Sequence, residues 1–203
     1  MKKNKISKNW INKQKSDIYV RQSKIEGYRS RAVYKLQEIN EKFKILKNGI
    51  NIVDLGAAPG SWSQFVSRKF KNSKIVSIDL KEIEKIENIY QIKGDFTDKL
   101  QQKKIIDYFS GKIDVVISDM AVNTTGNKNI DSLVTGELSI EAFNFSTNTL
   151  KKQGSFVSKI FMGSSFNEIV EIAKKEFKKV HIFKPLASRK DSKENFIICK
   201  HLR

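Results

Sequence analysis

Along this chain the apolar positions change rhythm near residue 50. Before it, Ala32, Leu36, Ile39 and Phe43 recur at the three- and four-residue steps of one helix face, which predicts a helix within residues 29–45 (RSRAVYKLQEINEKFKI). Lys35 stands at the margin of that stripe, where its stem can follow the apolar face while the ammonium reaches water or a neighbouring cleft. After residue 50 short β-rich runs take over, at 51–56 (NIVDLG), 74–80 (KIVSIDL), 88–95 (NIYQIKGD), 112–119 (KIDVVISD), 154–161 (GSFVSKIF), 178–185 (KKVHIFKP) and 195–200 (NFIICK). Helical stretches separate them: residues 63–70, residues 100–109, a segment around Leu138, Ala142 and Phe145, and one with Phe166, Val170, Ala173 and Phe177 on a single face. Strands alternating with helices predict an α/β domain, with a largely parallel sheet and helices on both faces. The last two runs leave no room for a crossover helix and are expected to form an antiparallel pair.

A chain of 203 residues suits one domain. Residues 1–28 are expected to form a basic, partly helical arm, and 29–203 the domain. Trp10 and Tyr19 lie among Lys13, Lys15, Arg21 and Lys24 in that arm, where they suit either stacking on bases or docking onto the domain. The formal charge of +17 favours a polyanionic partner, RNA or DNA. The excess is uneven: residues 1–50 carry fourteen Lys or Arg against four Asp or Glu, a net +10. No apolar run is long enough to span a bilayer, and the basic start lacks the apolar segment of a secretory signal, so no membrane partner and a cytoplasmic location are expected. The single cysteine, Cys199, and two histidines, His181 and His201, offer no metal-ligand spacing, and no metal is expected. A monomer is the default expectation.

The residue of greatest chemical interest is Lys159, flanked by Phe156, Val157, Ile160 and Phe161 in a run that reads as a core strand. An ammonium there costs several kcal/mol unless it is paired or deprotonated, so the position suits either a buried ion pair or a catalytic base. Strand 51–56 leads into a glycine-containing turn, Gly56 to Gly60, ahead of a helix, where a ligand can approach backbone N–H groups closely. Asp79 ends the following strand, placed to accept hydrogen bonds from both hydroxyls of an adenosine ribose. Asp95 and Asp119 follow the next β-like runs, at the carboxyl edge where open α/β sheets bind ligands. Three acids at that edge suit a positively charged cofactor such as S-adenosylmethionine. A nicotinamide dinucleotide fits less well, because the turn reads GAAPG instead of GxGxxG and Pro59 removes an N–H where a diphosphate needs one.

Together the segments DIYVRQSKIEGYRSRAVYKLQEI, VDLGAAPGSWSQ, GDF, SDMAVN, FVSKIFMG and SRKDSKENFI resemble the RrmJ/FtsJ family of bacterial large-subunit rRNA 2'-O-ribose methyltransferases, almost end to end. The resemblance implies a Rossmann-like methyltransferase fold with a seven-stranded sheet. It also implies a catalytic set Lys35, Asp119, Lys159 and Glu194, and methyl-donor contacts at Asp54, Gly56, Ala57, Pro59, Gly60, Trp62, Asp79, Asp95 and Asp119. The implied product is a 2'-O-methyluridine in the rRNA of an assembled or nearly assembled 50S subunit, with S-adenosylhomocysteine released. Two positions depart from the family pattern: Val122 replaces a proline beside Asp119, and Ser61 replaces a glycine in the turn. Relatives that modify tRNA share the four catalytic residues, and a non-catalytic assembly factor that kept the pocket is the reading from another class.

In that scheme Lys159 is the general base and Lys35 a cation that stabilises the developing alkoxide, while Asp119 orients the base. Glu194 holds one of the lysines and is the member whose loss is expected to matter least. Arg29, Arg31 and Lys35, with Arg189 and Lys190, are expected to bind RNA, chiefly by clamping phosphates. Lys184 and Lys193 extend that surface.

Overall fold

The computed structural model describes residues 17–121, 128–162, 166–189 and 192–203, with the backbone alone for residues 128–133. Trp10, Lys13, Lys15, Val122 and Lys190 lie outside the described residues. The elements in chain order are α1 (Ile18–Ile25), α2 (Val33–Phe43), β1 (Asn51–Leu55), α3 (Ser61–Lys69), β2 (Lys74–Asp79), β3 (Ile89–Lys93), α4 (Lys99–Phe109), β4 (Ile113–Ser118), α5 (Lys128–Thr149), β5 (Leu150–Phe161), α6 (Phe166–Glu176), β6 (Phe177–Phe183) and β7 (Glu194–Leu202).

All seven strands join one sheet in the order β3-β2-β1-β4-β5-β7-β6. The pairs β3-β2, β2-β1, β1-β4 and β4-β5 are parallel, while β7 runs antiparallel to both β5 and β6. The sequence reading of a mostly parallel sheet with an antiparallel last strand therefore holds. Central strands read as near-continuous buried runs, as strands covered on both faces must. One face packs Val53, Val76, Val116 and Phe156 against Ile105, Phe143 and Ala173 of α4, α5 and α6. The other packs Ile52, Ile75, Val157 and Ile198 against Leu36 and Ile39 of α2 and Trp62 and Phe65 of α3. Each fully buried side chain of this size contributes roughly 1.5–3 kcal/mol.

Local chemistry sets the helix ends. Asp17 caps α1 by accepting from the Tyr19 N–H at 3.0 Å, and Asp98 caps α4 by accepting from Leu100 N–H at 2.8 Å. Helix α1 packs on the domain: Tyr19 meets Tyr34 with ring centroids 5.4 Å apart, and Arg68 donates to the Glu26 and Gly27 carbonyls that follow it. Of the two fates read for Tyr19, docking is the one observed. Phe177, expected on the face of the last helix, instead begins β6, because α6 stops at Glu176. Its ring still fills the cavity beside Ala173 and Phe143. Among the described residues no helix is long and apolar enough to cross a membrane.

Candidate active site

Four charged side chains from three strand ends and one helix meet at the carboxyl edge of the sheet. Lys159, 7 % exposed on β5, donates from Nζ to the Asp119 carboxylate at 2.9 Å and to the Asp119 carbonyl oxygen at 2.6 Å. Asp119 directly follows β4, so strand pairing brings it beside Lys159. Lys35 comes from the first turn of α2, its Nζ 3.7 Å from the second Asp119 oxygen. The same nitrogen lies 3.0 Å and 3.2 Å from the two oxygens of Glu194, the first residue of β7. Because β7 is antiparallel, its beginning reaches the edge where the parallel strands end. The result is a continuous series, Lys159, Asp119, Lys35, Glu194, with alternating charges that sum to zero.

Burial and charge oppose each other in this series. Burial pushes the Asp119 carboxyl upward, but the ammonium groups of Lys159 and Lys35 outweigh it and hold the group below the usual carboxylate range. Burial alone would lower Lys35, yet Asp119 and then Glu194 outweigh that loss and raise it above the ordinary lysine value. Lys35 is therefore a firm cation. Its ammonium also lies 5.7 Å from the centroid of the Phe196 ring, a further favourable contact.

A cleft of about 700 Å³ opens from Asp119 along the strand ends. Gly56, Ala58, Asp79, Asp95, Met120 and Leu138 are among the residues that line it. Gly56 has φ +71°, and a Cβ there would come within 2.4 Å of the Met120 side chain and 3.0 Å of its backbone, so only glycine fits. Asp79 accepts from the backbone N–H of Ala58 at 2.9 Å and of Lys81 at 2.8 Å. These bonds fix its carboxylate at the mouth of the turn, and each oxygen retains a lone pair for a ligand hydroxyl. Asp95 is held by the Thr97 backbone N–H and hydroxyl, both on one oxygen.

Not every residue expected at the donor site reaches the cleft. Trp62 is 3 % exposed, donates its indole N–H to the Ala32 carbonyl at 2.7 Å and packs on Phe196, which makes it a core residue and not a pocket wall. Asp54 lies wholly beneath the cleft, accepting from the Ser63 hydroxyl at 2.6 Å. Burial pushes its carboxyl up to about 7, against the pull of that hydrogen bond. Ala57, Pro59 and Gly60 shape the turn instead of lining the cleft. The Ala58–Pro59 peptide is cis, and Gly60 has φ +104°. Met120, Thr97 and Leu138 were missed as pocket residues, and Leu138 carries only a core signal because its helical stripe serves both core and cleft.

The two arginines expected to clamp phosphates are held by groups of the protein itself. Arg29 Nη1 donates to the carbonyls of Pro59 at 3.0 Å and Glu84 at 2.8 Å, and Nη2 donates to Lys85 at 3.2 Å. Its backbone N–H donates to Gln64 Oε1 at 2.9 Å. The guanidinium is a brace behind the Gly56–Gly60 turn. Arg31 is likewise engaged, by the Asp17 carboxylate, the Ala187 carbonyl and the Tyr19 ring. Of the remaining cations near the site, Arg189 acts electrostatically on Arg31, and Lys184 donates to the Ser192 carbonyl at 2.6 Å.

Comparison with known proteins gives this arrangement a context. The profile of the FtsJ-like methyltransferases matches residues 28–202. The chain is 68 % identical over 203 residues, 100 % of both chains, to the ribosomal RNA large subunit methyltransferase E of Pelagibacter ubique. It is 47 % identical to the enzyme of the same name from Rickettsia akari, over 95 % of this chain and 87 % of that one. Among solved structures, a ribosomal RNA methyltransferase of Plasmodium falciparum superposes with a TM-score of 0.77 at 32 % identity, over 86 % of this chain and 98 % of its own. A methyltransferase of Streptococcus mutans in complex with S-adenosylhomocysteine shares the fold, with a TM-score of 0.52 at 13 % identity over 82 % and 97 % of the two chains.

Proposed function

The chain belongs to the FtsJ-like methyltransferase family, and from that premise we propose that it transfers a methyl group from S-adenosylmethionine to the ribose 2'-hydroxyl of a uridine in large-subunit rRNA, on the assembled 50S subunit. The observation that carries the reading is the meeting of Lys35, Asp119 and Lys159 beside an acid-lined cleft. Large-subunit rRNA enters the proposal through the relatives from Pelagibacter ubique and Rickettsia akari, whose names state that substrate.

The cleft suits the donor. Asp79 is oriented by two backbone donors toward a diol, Met120 and Leu138 supply apolar surface for a purine, and Asp79 and Asp95 give the mouth a negative field for a cation. Gly56 leaves the space that any side chain would fill. When bound, S-adenosylmethionine supplies an electrophilic methyl carbon on a positively charged sulfur.

A ribose hydroxyl is a weak nucleophile, and its proton must leave as the oxygen–carbon bond forms and the carbon–sulfur bond breaks. Lys159, neutral at the moment of attack and so with a free lone pair on Nζ, takes that proton and becomes an ammonium, with Asp119 holding the nitrogen through one carboxylate oxygen. Lys35 remains charged through the step, because Asp119 and Glu194 favour its ammonium, and it offsets the negative charge that grows on the attacking oxygen. Glu194 keeps Lys35 in place. The products are the 2'-O-methylated ribose and S-adenosylhomocysteine.

The test is methyl transfer from labelled S-adenosylmethionine to unmodified large subunits, free rRNA and tRNA, followed by separation of the product nucleosides. Label on a 2'-O-methyluridine from the subunit is expected; label on a base, or transfer to tRNA alone, overturns the reading. Lys159→Ala is expected to abolish transfer while leaving S-adenosylhomocysteine binding within about threefold of wild type.

A further inference from the structure

The sheet carries a row that leads away from the catalytic lysines. Lys159 of β5 is the register partner of Phe196 on β7, and Phe196 is the register partner of Phe183 on β6. Helix α2 lies over this row. Its Lys35 ammonium is 5.7 Å from the Phe196 ring, and seven residues later its Lys42 ammonium is 4.5 Å from the Phe183 ring. Seven residues are about two turns, so the two ammonium-bearing positions share one helix face roughly 10.5 Å apart. Beyond Lys42 the surface stays cationic. Lys44 follows the end of the helix and is exposed, Lys179 is exposed on β6, and Lys200, its register partner on β7, donates to the Phe43 carbonyl at 2.8 Å. Among the described residues none of these four lysines beyond the active site forms an ion pair with a carboxylate. Lysines elsewhere do, as in Lys103–Asp107 and Lys151–Asp114.

We propose that this strip, Lys42, Lys44 and Lys179 along α2 and the edge strand β6, with Lys200 bracing it through the Phe43 carbonyl, is the track on which the substrate RNA strand leaves the active site. The inference rests on the reading of the site as a ribose methyltransferase centre, since a nucleotide held at Lys35 and Lys159 is part of a polymer whose phosphates must lie on an adjoining surface. An unpaired cationic strip continuous with the centre is the surface with the complementary charge. The spacing from Lys35 to Lys42 spans on the order of three nucleotide steps of a stacked strand. Between the cations, Phe43, His181 and Phe183 form an aromatic cluster, with Phe43 5.2 Å from His181 and 5.6 Å from Phe183, centroid to centroid, which offers ring edges and faces to bases. Lysine on an edge strand also discourages edge-to-edge pairing, but that role makes no demand on Lys42 or Lys44 of the helix.

The experiment compares the triple variant Lys42→Gln, Lys44→Gln, Lys179→Gln with a control triple, Lys71→Gln, Lys74→Gln, Lys104→Gln, that removes the same charge elsewhere. Binding to free unmodified large-subunit rRNA is measured across a salt series, with S-adenosylhomocysteine binding as the check on folding. The strip variant is expected to bind RNA roughly tenfold more weakly than the control at low salt, with the slope of log affinity on log salt reduced by about 2 to 3. Both triples are expected to bind S-adenosylhomocysteine as the wild type does. Equal RNA affinities for the two triples overturn the track, as does a strip variant that loses only binding to assembled subunits, which would assign the surface to a ribosomal protein. Absence of ribose methylation by the wild-type enzyme overturns the underlying reading instead, so the two failures are separable. Loss of S-adenosylhomocysteine binding in the strip variant would assign these lysines to the fold and likewise overturn the track.

Discussion

The guanidinium of Arg29 donates to the carbonyl of Pro59, tying the segment before α2 to the back of the Gly56–Gly60 turn. Two further carbonyls, of Glu84 and Lys85, complete the brace. Charged hydrogen bonds of this kind contribute about 1.5–3 kcal/mol each. Arg29→Ala is therefore expected to weaken S-adenosylhomocysteine binding by at least roughly tenfold, while the salt dependence of RNA binding stays as in the wild type. Arg29→Lys, which restores one donor, recovers part of the loss. Calorimetric titration of the cofactor product alongside RNA binding separates this from a phosphate clamp, which would show the opposite pattern.

Glu194 touches Lys35, whereas Asp119 touches both lysines, and the two acids should differ accordingly. Glu194→Gln keeps a hydrogen-bond acceptor near Lys35 and is expected to lower kcat by roughly 10- to 100-fold, the equivalent of one charge-assisted hydrogen bond. Asp119→Asn leaves the buried Lys159 without its counter-ion and should lower kcat by at least about a thousandfold. Single-turnover rates with saturating cofactor distinguish the two; equal losses would mean that Glu194 contributes more than the placement of Lys35.

Gly56 and Met120 are coupled by the space that neither can share. Gly56→Ala places a methyl group against the Met120 side chain and backbone at a positive φ, and is expected to cost about 1–3 kcal/mol of stability along with most of the cofactor affinity. Met120→Ala relieves the side-chain clash but neither the backbone contact nor the φ. The double variant should therefore recover part of the stability, as a double-mutant cycle by chemical denaturation would show. Strict additivity would refute the coupling.

Asp54 is a buried carboxyl that faces Ser63 of α3, Ser77 of β2 across the Ser63 hydroxyl, and the charges of Asp79 and Asp119, with no cation bonded to it among the described residues. Its folded value, about 7, lies above the unfolded one of 3.8, so the folded state holds an extra proton between them. Stability from this group is present at low pH and declines as pH rises through that window. Relative to Asp54→Asn, the wild type should lose on the order of 3 kcal/mol between about pH 5 and pH 7. Unfolding free energies of the two proteins across that range test the sign; parallel profiles would rule it out.

The order of strands and helices was legible because buried parallel strands write themselves as runs of Ile and Val, such as residues 51–55 and 74–79. Lys159 was legible for the opposite reason, as a charge inside such a run. The acids Asp79, Asp95 and Asp119 announced themselves by position, each just past a strand. What the one-dimensional pattern could not convey was who occupies the hydrogen bonds of an arginine. Arg29 and Arg31 look like free cations in the sequence, but alongside the Asp17 carboxylate on Arg31 they are held by backbone carbonyls at Pro59, Glu84, Lys85 and Ala187, and a carbonyl has no signature in composition. Trp62 was ambiguous because an indole suits a core and a pocket equally, and only the bond to the Ala32 carbonyl settles its side. Leu138 hid behind a helical stripe that serves two neighbours.

The insertion of β7 between β5 and β6 has a consequence for biosynthesis. The strand that supplies Glu194 and carries Phe196 is made after every other element of the domain. A nascent chain halted before it has β5 and β6 with no strand to join them, and two raw hydrogen-bonding edges in place of a finished sheet. β7 is thus the keystone: translation that stops before it yields no half-working catalyst, only a sheet broken one strand from its β6 edge.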